Sequence, residues 1–135
     1  MNILVTGGCG YIGTELVRSL LAKEYNVTVV DTQWFGNELE RHENLENIKC
    51  DIRDINQDLL TDVDSIIHLA NIANDPAVEL NPTLSWEVNV LASRQLADKA
   101  IRNGVKKIIY ASSGSVYGIK EELNVTEDLD LVPIS

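Results

Sequence analysis

Three glycines spaced three residues apart, Gly7, Gly10 and Gly13, follow directly on the short apolar run at residues 2–6. That run is rich in β-branched residues and bounded by glycine, so it reads as a buried strand. From Ile12 onward the apolar residues recur at helical spacing, as Ile12, Leu16 and Leu20 with Val17 and Leu21. Strand, glycine turn and helix in that order aim free backbone N–H groups and the positive end of a helix dipole at an anion. Gly7 allows the tight turn, Gly10 lets the backbone approach a pyrophosphate, and Gly13 lets the helix pack closely on the strand.

A second apolar strand at residues 27–30 ends in Asp31. In a βαβ dinucleotide site an acid at this point accepts hydrogen bonds from the adenosine ribose hydroxyls. Its charge repels a 2′-phosphate, which favours NAD over NADP. Cys9, inside the turn, reads as a small residue filling it.

The remaining composition narrows the field by exclusion. A chain of 135 residues with 44% apolar and 24% charged side chains is expected to fold as one domain with a real core. A net charge of −10 argues against a nucleic-acid groove, which needs clustered Lys and Arg. An anionic dinucleotide is still compatible, because backbone amides and a helix end make its contacts. No apolar run approaches the length of a membrane span. Met1 leads straight into the first strand without a signal peptide, and there are only two cysteines, so the expected location is a reducing cytoplasm. No metal site is expected.

Further along, residues 32–47 read as a polar loop carrying Trp34, Phe35 and Gly36. Its aromatics either lie beside an adenine ring or cover the sheet edge. Residues 47–51 read as a third strand, leading into Asp51 and Ile52 at the sheet edge where open α/β sheets bind ligands. Arg53 reads as solvated or paired with a nearby acid. Residues 65–70 form a fourth strand buried on both faces, in which His68 reads as structural. Asp75-Pro76 and Asn81-Pro82 each read as an N-cap followed by proline at the first helical position. The second pair opens a long helix over residues 82–103, stopped by Gly104. It carries one apolar stripe of Leu84, Val88 and Leu91 and another of Trp86, Val90, Ala97 and Ile101, where a sheet-covering helix needs only one. The surplus predicts a second partner, either another helix of the same protein or a dimer mate, and for the chain as given a homodimer or higher oligomer. Residues 106–112 give a fifth strand, and the alternation predicts a doubly wound parallel α/β sheet in the order 3-2-1-4-5.

Taken together, TGGCGYIG (Thr6 to Gly13), Asp31, Asp51-Ile52, HLA (His68 to Ala70), Asn89 in WEVNV, and SSGSVYG (Ser112 to Gly118) closely resemble the extended short-chain dehydrogenase/reductase family. The branch they resemble is the NAD-dependent epimerase/dehydratase group acting on nucleotide sugars, with a Rossmann-type fold. The resemblance implies that Gly7, Gly10, Tyr11 and Ile12 border the pyrophosphate and that Asp31, Thr32 and Gln33 hold the adenosine ribose. It implies Asp51 and Ile52 at the adenine, and Leu69, Ala70, Asn71 and Ala73 along the path to the nicotinamide. Asn89 braces that loop from the long helix, and Ser113 matches the catalytic Ser/Thr, whose hydroxyl hydrogen-bonds the sugar oxygen that exchanges a proton.

Two features depart from the family pattern. Asn71 stands where many relatives have a small residue. The family's Tyr-x-x-x-Lys base is absent: Tyr11, Tyr25, Tyr110 and Tyr117 are followed at that distance by Glu15, Val29, Gly114 and Glu121. In the family that pair lies beyond residue 135, so the chain reads as the NAD-binding portion of a longer nucleotide-sugar epimerase or dehydratase, without turnover of its own. A non-catalytic NAD-binding sensor or scaffold and an atypical carbonyl reductase are the competing readings.

Overall fold

The computed structural model describes residues 1–134. Its strands are β1 (Asn2–Thr6), β2 (Asn26–Asp31), β3 (Leu45–Lys49), β4 (Ser65–His68) and β5 (Lys107–Tyr110). All pair in parallel, in the order β3-β2-β1-β4-β5, as the sequence predicts. The helices are α1 (Tyr11–Leu21), α2 (Asp75–Leu80), α3 (Pro82–Trp86) and α4 (Ser93–Arg102), with a π turn, Glu87–Ala92, joining the last two.

Alternation along β1 builds two cores. Ile3 and Val5 point to one face and pack with Val17 of α1 and with Val27 and Val29 of β2. Leu4 points to the other face, where it joins Val30, Ile66, Val88, Ala92, Leu96 and Ala100. The sheet is therefore covered on both sides at its centre. β5, at the edge, is exposed along all four residues.

Several boundaries differ from the sequence reading. The third strand runs Leu45–Lys49 rather than 47–51, so part of the expected loop is strand. Its register pairs Leu45 with Val27 and Lys49 with Asp31. Cys50 N–H still reaches Asp31 O at 3.0 Å, after which Asp51 leaves the sheet to cap a 3₁₀ turn, accepting Arg53 N–H at 2.9 Å. The fourth strand ends at His68 rather than residue 70, because Ala70 N–H turns to the Thr6 hydroxyl oxygen at 3.4 Å. The fifth is trimmed to Lys107–Tyr110. The cap of α2 is Asn74, whose Oδ1 accepts Ala77 N–H at 3.1 Å, so the Asp75 assignment is corrected. Asn81 caps α3 as expected, accepting Leu84 N–H at 3.0 Å. α4 closes with Val105 N–H on Ala100 O and Gly104 N–H on Ile101 O, a Schellman pattern.

The expected single long helix is interrupted for a reason visible in its buried residues. Val88, Ala92, Leu96 and Ala100 recur every fourth position. In a regular α-helix each step of four overshoots one turn by about 40°. A wider π turn takes up part of that drift and keeps the four on one face. Leu91 falls off the first stripe and is half-exposed, while Trp86, Val90 and Ile101 of the second are exposed.

Gly13 is the tightest point between α1 and the sheet. A Cβ there would collide with the Gly7 carbonyl oxygen and lie 2.7 Å from Gly8 Cα, both backbone atoms that cannot swing aside. Gly13→Ala is expected to lower the unfolding free energy by about 1–3 kcal/mol, measured by urea denaturation; an unchanged midpoint would contradict this packing.

Candidate cofactor site

A cleft of about 160 Å³, open to solvent, runs along the carboxyl ends of β1, β2, β3 and β4. One side is the glycine turn. Gly7 has φ +74°, and a Cβ on it would stand 2.6 Å from Ala70 N and 2.9 Å from Leu69 C, so the turn lies flush against the exit of β4. Gly10 is the N-cap of α1 and has no capping side chain; the first turn of α1 carries no acid. Its early N–H groups thus keep the unmet donor capacity of a helix start. A Cβ at Gly10 would touch only Gly7 O, at 3.4 Å, which leaves the backbone open to the cleft. This is a cradle suited to a diphosphate. Gly8, absent from the sequence-based set, is a packing glycine: a Cβ there would meet Val29 Cγ1 at 2.7 Å.

Asp31 sits opposite this turn and lines the cleft. Its Oδ2 accepts Cys9 N–H at 2.9 Å, and its Oδ1 accepts Gln33 N–H at 2.6 Å. Two backbone donors therefore fix the carboxylate. Each oxygen retains acceptor capacity for a hydroxyl. Thr32 lines the cleft beside it. Gln33 does not; it has φ +57°, and its side chain donates to Asn47 Oδ1 at 3.2 Å. Gly36 N–H bonds Gln33 O at 3.1 Å, closing a turn that puts Trp34 and Phe35 at the cleft mouth.

Asp51 and Ile52 form the wall beyond β3. Hydrogen bonding from the Arg53 side chain holds the Asp51 carboxyl below the usual carboxylate range, and Arg53 is raised in return. Arg53 also reaches Glu87 Oε2 at 2.8 Å, so it is paired rather than merely solvated. Cys50 lines the cleft too. Burial pushes both thiols, Cys9 and Cys50, up from their ordinary value, and they stay protonated at neutral pH.

The opposite wall is the loop after β4, where Leu69, Ala70, Asn71 and Ile72 line the cleft. Asn89 braces it as the resemblance implies, its Oδ1 accepting Ile72 N–H at 2.8 Å and its Nδ2 donating to Ile72 O at 3.0 Å. Behind this brace lies a buried polar chain. The Ser93 hydroxyl donates to Asn89 O at 2.9 Å and lies 2.8 Å from His68 Nε2. Its only hydrogen is spent on the carbonyl, so His68 Nε2 is the donor and Nδ1 accepts from the Thr6 hydroxyl. Burial lowers the imidazole's pKa, in keeping with a neutral, structural His68.

The other expected residues lie outside the lining. Tyr11 and Ile12, in the first turn of α1, are 97% and 67% exposed. Gly13 is buried under that turn, and Ala73 is exposed in the β4 loop. Ser113 follows β5, exposed, with its Oγ 2.7 Å from Ser115 Oγ and accepting Ser115 N–H at 3.2 Å. Sequence reasoning missed Cys9, Cys50, Ile72 and Val88 in the lining. Ile72 could have been inferred from its neighbours Asn71 and Ala73, and Val88 from its place one residue before Asn89. No helix among the described residues is long and apolar enough to cross a membrane, and none of their acidic, His or Cys groups is arranged to hold a metal ion.

The chain is 34% identical over 137 residues to a putative UDP-glucose 4-epimerase of Methanocaldococcus jannaschii, covering 98% of this chain and 45% of that protein. Among solved structures, UDP-N-acetylglucosamine 4-epimerase from Methanobrevibacter ruminantium M1, in complex with UDP-N-acetylmuramic acid, superposes with a TM-score of 0.91 at 34% identity, covering 99% of this chain and 44% of that one. DesIV, a dTDP-glucose 4,6-dehydratase from Streptomyces venezuelae solved with NAD bound, gives 0.86 at 30% identity, with 98% and 46% covered. The chain thus spans less than half the length of these relatives. The family model for the NAD dependent epimerase/dehydratase family matches residues 3–135. On a match of that extent, over a Rossmann-like sheet with its glycine turn and acidic second-strand end in place, the chain belongs to the NAD-dependent epimerase/dehydratase family.

Proposed function

We propose that this chain is the NAD-binding portion of a nucleotide-sugar epimerase or dehydratase. The observation that carries the reading is Asp31, fixed by two backbone N–H groups across the cleft from an uncapped helix start. That pairing offers acceptors to a ribose diol and donors to a diphosphate, and a 2′-phosphate would face the carboxylate. In this reading Gly7, Gly10, Tyr11, Ile12 and Gly13 form the diphosphate end, with Tyr11 and Ile12 contributing backbone. Asp31, Thr32 and Gln33 hold the ribose, Asp51 and Ile52 take the adenine, and Leu69, Ala70, Asn71 and Ala73 with Asn89 shape the nicotinamide end. NAD, when bound, supplies reversible hydride acceptance, which oxidises a sugar carbon transiently to a ketone. Ser113 would hydrogen-bond the sugar oxygen at that carbon, favouring the change in its charge as the proton moves. The nucleotide-sugar relatives support this substrate class. Asn89 keeps the loop that carries these wall residues in place.

Calorimetric titration is expected to show NAD binding, with NADP much weaker. Asp31→Ala removes the charged acceptor and should weaken NAD by about tenfold or more while narrowing the preference over NADP. Equal affinities of the unaltered protein for both dinucleotides would refute the ribose assignment. The 135-residue chain contains no Tyr-x-x-x-Lys, so incubation with UDP-glucose and NAD, followed by chromatography, should yield no product. Steady turnover would show that the base lies elsewhere in these residues.

A further inference from the structure

We propose that the π turn Glu87–Ala92 is the spacer that sets the two walls of the cleft, with Glu87 and Asn89 as its positioning residues; the assignment of the spacing to a dinucleotide rests on the NAD reading above. Glu87 Oε2 takes Arg53 Nη1 at 2.8 Å, and Arg53 grips Asp51 through Nε at 3.1 Å and Nη2 at 2.9 Å, which fixes the wall after β3. Asn89, two residues on, pairs with both backbone groups of Ile72 and fixes the wall after β4. Val88, between them, lines the cleft itself. One turn of helix therefore reaches both sides of the site.

Where the wide turn meets α4 the backbone tightens, and a side chain takes up the freed carbonyl. Ser93 N–H turns to Val90 O, and the Asn89 carbonyl, which would accept that N–H in a regular α-helix, takes the Ser93 hydroxyl instead. His68 of β4 donates to the same hydroxyl. The Arg53 pairs are partly solvated and such pairs add little to global stability. Their effect lies in where they hold Asp51.

Deleting Leu91, which is half-exposed, removes the extra residue and restores α-helical register. Ala92, Leu96 and Ala100 keep α4 in the core, and three α-helical steps replace four wider ones between Asn89 and Ser93, so Asn89 turns away from Ile72 by a few tens of degrees. The deletion variant is expected to unfold cooperatively with unchanged helix content, to bind NAD at least about tenfold more weakly, and to exchange its Ile72 amide hydrogen faster. Glu87→Ala and Asn89→Ala test the same point without altering chain length. Both should weaken NAD, and Glu87→Gln, which keeps an acceptor for Arg53, should recover most of the affinity. If the deletion variant does not fold, these substitutions decide. NAD affinity and Ile72 exchange unchanged in the folded variants would overturn the proposal. If the unaltered protein itself ignores NAD, the cofactor reading fails, and Ile72 exchange alone then judges the spacer: unchanged protection in the variants overturns it.

Discussion

Between the exit of β4 and the start of α1 the glycine turn is packed backbone against backbone, with no space for one added carbon at Gly7 or Gly13. Everything functional in the molecule is referenced to that contact. It seats α1 so that its first turn opens on the cleft, and it presses Gly7 against Leu69 and Ala70, which makes the β4 loop the facing wall. It also brings Cys9 N–H within reach of Asp31, so the anion cradle and the carboxylate share one rigid frame. Sterics of this kind cannot be relieved by a rotamer change.

The electrostatics follow from the same frame. A protein of net charge −10 exerts no net long-range attraction on an anionic dinucleotide. Attraction is supplied locally, by helix-start amides, and a carboxylate sits where hydroxyl donors are wanted. On the wall beyond β3, Asp51 is paired with Arg53, which is itself shared with Glu87. Asp31 is thus the lining carboxylate without a cationic side chain paired to it, held by backbone N–H groups alone.

Much of this was legible in the chain because it depends on local chemistry. The glycine spacing, the acid ending β2, the Asn81-Pro82 start and the strand order all follow from residue types at short range. What stayed hidden depends on tertiary register. The third strand was misplaced by two residues because its limits are set by pairing with β2, and Asp51 is consumed as a cap. The π turn is invisible to a 3.6-residue template, which groups Val88 with Leu84 and Leu91, whereas the core on the sheet face takes Val88 with Ala92, Leu96 and Ala100. Tyr11 and Ile12 lie outside the cleft lining with their side chains exposed, a conformation that the glycine spacing alone does not specify.

The hydroxyl–imidazole–hydroxyl sequence from Thr6 through His68 to Ser93 has a consequence for how the protein can change over time. It sets the roll of the long helical segment by directional polar contacts from the sheet, adding to the apolar packing beneath it. The outward side, at Trp86, Val90 and Ile101, is thus free to change in sequence while the inward side stays in alignment.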